Sequence, residues 1–150
     1  MNWNIYLSGE IHSDWRNQIA EGIKVAKLPI NLSAPVTDHA ASDDCGDCIL
    51  GAEEQPFWKD HKAAKINAIR TRKLIEEADV VVVRFGDKYR QWNAAFDAGY
   101  AIALGKAMIV LHDPELTHAL KEVDAAALAV AQTPAQVVDI MKYVIDGKLT

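Results

Sequence analysis

The segment Asp79-Val80-Val81-Val82-Val83-Arg84-Phe85 restricts the possible folds of this chain more than any other part of it. Successive β-branched residues are stiff at χ1 and suit a pleated strand. Side chains alternate between the two faces of a strand, so an unbroken valine run is apolar on both. Such a strand needs cover on both sides, which is the situation of a central strand in a parallel sheet. Trp3 to Leu7 reads as a first strand stopped by Ser8-Gly9, and Pro29 to Ala34 as a second closed by Pro35. Ala107 to Leu111 reads as a fourth strand, and residues 127–131 as a fifth made of small residues.

Helical patterns fall between the strands. Trp15, Ile19 and Ile23 recur at helical spacing after Ser13-Asp14, an N-cap pair. Residues 60–78 form a helix, and Trp92 to Leu104 another that Gly105 ends. A weak helix is expected near 115–122. The last begins with Thr133, Pro134 and Gln136, a capping box with proline at the first helical position, and carries the stripe Val137, Ile140, Met141, Val144 and Ile145. Alternating strands and helices in a chain of 150 residues imply one α/β domain over 1–150. With five strands, the expected fold is a flavodoxin-like three-layer sandwich whose parallel sheet has the order 2-1-3-4-5.

Charge is unevenly placed. Residues 35–60 hold seven acids and one base, whereas residues 61–73 hold five bases and no acid. The segment 35–59 reads as a loop, long for a compact domain, and is expected to be ordered, its acids paired to the basic helix or to a neighbouring subunit. The net charge of −5 argues against binding polymeric nucleic acid but leaves room for a nucleoside or nucleotide. The start, Met1 to Ser8, lacks the pattern of a signal peptide, and no apolar run is long enough for a membrane helix. A cytoplasmic protein is therefore expected. Cys45 and Cys48 form a lone CxxC inside the acidic segment; with no clear further ligand spacing around His39 or His61, neither metal nor cofactor is expected.

Doubly wound sheets bind ligands outside the carboxyl ends of their strands, where the winding changes direction between strands 1 and 3. That rule nominates Ser8, Gly9, Glu10 and His12 after strand 1, and Gly86, Asp87, Gln91, Trp92 and Asn93 after strand 3. Glu10 and Asp97 are the carboxylates of interest. Asp97 lies in a helix otherwise almost free of charge, so it either satisfies a local partner or does chemistry. Asn67, Arg70 and Thr71 fall inside the apolar arc of helix 60–78. Asn67 is placed to reach a ligand, and Arg70 to do so or to balance a buried carboxylate.

Ile5-Tyr-Leu-Ser-Gly9, Ile75-Glu-Glu-Ala-Asp79 followed by the valines, and Asp97-Ala-Gly-Tyr-Ala-Ile-Ala-Leu-Gly105-Lys resemble the nucleoside 2-deoxyribosyltransferases. The match is closest to the YtoQ branch, with Tyr-Leu-Ser-Gly-Glu-Ile-His, Ala34-Pro35 to Ser42-Asp43, Ile66-Asn67 to Arg70-Thr71, and Phe85-Gly-Asp-Lys-Tyr-Arg-Gln-Trp-Asn93. It covers nearly all of residues 3–145. It implies double displacement at the sugar C1′ of a nucleoside-like substrate, with Asp97 at the position of the family's nucleophilic glutamate. Glu10 would be the acid–base group, and Asn67, Asp87, Gln91 and Asn93 would orient sugar and base. Partners implied are a small nucleoside or nucleobase and further copies of the chain, in a homodimer or larger homo-oligomer. The pattern departs from the transferases at Gln91 and Thr71, where they carry aspartates, and at Glu10, where they often carry proline. The alternative is a non-catalytic nucleoside- or nucleotide-binding or sensor domain on the same fold.

Overall fold

The structure is a computed structural model, and it describes residues 1–149. The strands are β1 (Trp3–Gly9), β2 (Ile30–Ser33), β3 (Val80–Arg84), β4 (Ala107–Leu111) and β5 (Ala129–Ala131). They form one five-stranded sheet in the order β2-β1-β3-β4-β5, and every neighbouring pair is parallel. The expected topology is the observed one.

The valine run is buried on both faces, as its sequence demands. Val80 and Val82 join a core with Ile5, Leu7, Ile109 and Leu111 under α1 (Trp15–Val25) and α6 (Pro134–Asp146). Val81 and Val83 join the opposite core with Tyr6, Met108 and Val110 under α3 (Pro56–Glu77) and α4 (Trp92–Ala103). α6 has both hydrogen bonds of its capping box, and Gly147 closes it at φ 67°.

Three elements differ from expectation. The segment read as a loop over 35–59 contains α2 (His39–Leu50), capped by the Asp38 carboxylate, which accepts from the Ala41 amide at 2.7 Å. α2 has no apolar stripe to announce it. It packs on α3 through Gly46, where a Cβ would lie 2.6 Å from the Lys62 Cβ, so backbone contact replaces a hydrophobic face. One acid of the segment pairs with the 61–73 stretch, Glu53 with Lys62 at 2.6 Å, whereas Asp44 pairs with Lys59, the segment's own base, at 2.8 Å. α3 begins earlier than expected, at Pro56, whose missing N–H costs nothing in the first turn. The weak helix resolves into a 3-10 turn, Pro114–Leu116, and a short α5 (Lys121–Ala126). Buried His112 explains the split: its ring nitrogens meet the Asp113 carbonyl at 2.7 Å and the Asp124 carboxylate at 2.8 Å, which ties α5 to the end of β4.

Gly9 ends β1 with φ 113°, and a Cβ there would overlap the backbone of Arg84. Gly105 also has positive φ, 72°, but faces open space. Gly9→Ala is therefore expected to cost about 2–4 kcal/mol and Gly105→Ala only about 1 kcal/mol, measured by urea denaturation. Equal losses would mean that the Gly9–Arg84 approach carries no special constraint.

Candidate active site

β1 and β3 run in register to their ends, with Gly9 opposite Arg84, and the Glu10 amide donates to the Arg84 carbonyl at 3.1 Å. Beyond that point the chain turns away on both sides into the β1–α1 and β3–α4 loops. Arg16 of α1 fixes the first loop from beneath by donating to the carbonyls of Leu7, Gly9 and Glu10. Gln91 staples the second: its Oε1 accepts from the Gly86 amide at 2.8 Å while its Nε2 donates to the carbonyls of Lys88 and Tyr89. Between the loops, α3 and α4 border an open cleft of about 970 Å³.

Gly9, Glu10, His12, Asn67, Arg70, Gln91, Trp92, Asn93 and Asp97 all line this cleft. Ser8 is fully buried beneath it and donates its hydroxyl to Asp97 at 2.6 Å. Gly86 and Asp87, expected in the same site, border an adjoining depression of about 130 Å³ that shares Glu10 and His12 with the cleft. Asn67 and Arg70 are committed to protein contacts as well as facing the cleft. The Asn67 amide donates to the Ser42 carbonyl at 2.9 Å, holding α2, and Arg70 donates twice to the Ala34 carbonyl.

The two nominated carboxylates occupy opposite environments. Burial raises the Asp97 pKa, and the Ser8 hydrogen bond only partly offsets this. Among the described residues no lysine, arginine or histidine forms an ion pair with it. Burial also acts to raise Glu10, but the Ser13 hydroxyl, the His12 and Ser13 amides and the charge of Arg84 together outweigh it, and its pKa is lowered. The Glu10 carboxylate accepts from the His12 amide at 2.6 Å and the Ser13 amide at 3.1 Å, and also from the Ser13 hydroxyl. These contacts hold the turn that precedes α1, and the Asp14 side chain makes no cap hydrogen bond. A carboxyl held ionised in this way is a poor proton donor near neutrality and is better suited to act as a base.

Tyr6 joins the site from the floor. Its hydroxyl is buried without a hydrogen-bond partner of good geometry. Burial first and the neighbouring Asp97 charge second push its pKa up to about 12, with Thr71, Arg16 and Arg70 acting the other way. The roof is aromatic: the His12 ring lies 4.9 Å from Tyr89 and 6.4 Å from His39. Arg16 carried no sequence signal, because its role depends on carbonyls that only the turn after β1 brings together. His39 was hidden with the helix that carries it.

The family model described as "Nucleoside 2-deoxyribosyltransferase YtoQ" matches residues 6–145, and the chain belongs to that family. It is 42% identical over 146 residues to the uncharacterized protein YtoQ of Bacillus subtilis strain 168, covering 97% of this chain and 99% of that one. Among solved structures, a conserved protein from Enterococcus faecalis V583 superposes with TM-score 0.66 at 16% identity, over 96% of this chain and 99% of the other. A 2-deoxyribosyltransferase from Bacillus psychrosaccharolyticus does so with TM-score 0.54 at 15% identity, over 91% and 90%. These two likenesses establish the fold.

The raised Asp97 pKa has a direct consequence for stability. Between its unfolded and folded pKa values the native state binds more protons, so stability falls as pH rises through that window and stays reduced above it. Asp97→Asn is expected to remove this decline and to be more stable than the parent at pH 7, read from urea midpoints between pH 3 and pH 8. A less stable variant at pH 7 would mean that the ionised carboxylate is a net structural asset.

Proposed function

We propose that the protein is an N-glycosidic bond enzyme of the nucleoside 2-deoxyribosyltransferase type, working in the cytoplasm on a nucleoside-like substrate. The observation that carries this reading is Asp97: a half-buried carboxylate lining the cleft, without a cationic partner among the described residues, and oriented by Ser8. A desolvated carboxylate is more nucleophilic than a hydrated one, and the cleft gives a sugar ring access to it. Asp97 would attack C1′ as the C1′–N bond breaks, its electron pair leaving with the base, which takes a proton from water. An acceptor base or water would then attack C1′, release the ester and restore the Asp97 carboxylate. Two inversions give net retention. Glu10, kept ionised, would accept the proton that the acceptor loses. Asn67 and Asn93 would orient sugar and base, and the rings of His12, Tyr89 and Trp92 would offer stacking surfaces. The free thiols of Cys45 and Cys48 accord with a reducing compartment.

One observation favours binding without turnover as a second reading. Gln91, at the position of a transferase aspartate, spends its amide on its own loop. The test is incubation of deoxynucleosides with a second base, followed by chromatography. Base exchange or hydrolysis is expected, with Asp97→Ala lowering the rate by about 10³-fold or more. Tight binding with no exchange and no hydrolysis across a broad panel would leave the sensor reading in its place.

The homo-oligomer belongs to the same proposal. Trp92 and Phe96, one turn apart on α4 and 73% and 65% exposed, make an apolar edge to the cleft. Phe96→Glu is expected to shift the mass found by light scattering from an oligomer to a monomer. A parent protein that is already monomeric at micromolar concentration would refute this.

A further inference from the structure

The chain is acidic overall, yet the cleft is bordered by Lys65, Arg70 and Arg72 of α3 and by Arg90 of the β3–α4 loop. Among the described residues none of these four cations has a carboxylate within ion-pair distance. The other lysines of the same region, Lys59, Lys62 and Lys73, are all paired. Four cations without an ion-pair partner thus border the cleft.

The acids of the cleft do not cancel their charge. Glu10 is occupied by its own loop. Asp43 pairs with His39 at 3.4 Å. Asp60 precedes Arg70 on α3 by ten positions, about 15 Å of helix rise. Asp97 is the reacting group on the floor.

Arg70 differs from the other cations in being held in place. Its Nε and Nη2 donate to the Ala34 carbonyl at 3.3 and 3.1 Å, which fixes the plane of the guanidinium and leaves further N–H groups unused. It also lies near enough to Tyr6 for its charge to act on the phenol, and Tyr6 is the neighbour of Asp97. A donor fork held at the wall of the cleft suits a tetrahedral dianion carried by a ligand in the same cleft.

We propose that the substrate carries a phosphate, as a nucleoside 5′-monophosphate, with Arg70 as its direct ligand and Arg90, Lys65 and Arg72 supplying the attracting field. This rests on the N-glycosidic reading of the same cleft and adds the charge state of the substrate. The phosphate takes no part in bond breaking. It anchors the sugar while Asp97 and C1′ meet, so its binding energy acts on orientation.

The test is calorimetry on the full chain with a panel of deoxynucleosides, their 5′-monophosphates and inorganic phosphate, at low and moderate salt. The 5′-monophosphates are expected to bind at least about tenfold tighter than their nucleosides, with a preference that shrinks as salt rises. Arg70→Met is expected to bring that preference close to one. Because Arg70 also holds Ala34, Arg90→Met on the exposed loop serves as a second variant, expected to lower the preference without a loss of thermal stability. Nucleosides that bind as well as their 5′-monophosphates would overturn the phosphate proposal and leave the N-glycosidic reading standing. Binding of inorganic phosphate with no gain for the 5′-monophosphate would overturn it too, and would place the anion among the acceptors. No binding by any member of the panel would overturn both.

Discussion

The meeting of β1 and β3 at their carboxyl ends governs the rest of the molecule. Two parallel strands stay hydrogen-bonded as far as Gly9 and Arg84, and then the chain must leave in opposite directions, one branch to α1 and the other to α4. Gly9 permits this because only a residue without a Cβ fits against the Arg84 backbone at that φ. Arg16 then gathers the carbonyls that the end of β1 leaves without a sheet partner. The crevice is thus a consequence of strand pairing that stops abruptly, and each functional group described above is placed by its distance from that stopping point.

Two carboxylates of similar intrinsic chemistry are driven apart by this arrangement. Glu10 sits where the chain turns into α1, so amides and a hydroxyl converge on it and hold it charged. Asp97 sits on α4, where helix and sheet exclude water but only the Ser8 hydroxyl is offered in return. The difference follows from the backbone: a turn presents free N–H groups, and the middle of a helix presents none. One carboxylate therefore organises a loop, and the other keeps unspent reactivity.

The sheet order was legible because it rests on patterns that tertiary structure seldom overrides. These are the valine run, the capping box at Thr133 and the glycine stop after the Asp97 helix. α2 was illegible because its attachment to α3 uses Gly46 and polar contacts, and periodicity detects only apolar stripes. The site was legible at the level of segments, since the winding rule located both loops. Within those loops Gly86 and Asp87 border a smaller depression that shares Glu10 and His12 with the cleft. Glu10 was found, but its protonation behaviour depends on hydrogen bonds from residues two and three positions on, which no spacing rule reports.

α2 contributes no residue to either hydrophobic core. It is held by the Asn67 amide, by ion pairs from Lys59, and by close approach at Gly46. The wall of the cleft that α2 forms therefore depends on its packing against α3 and not on the hydrophobic layers that close the sheet, so the shape of the cavity and the stability of the strands rest on different contacts.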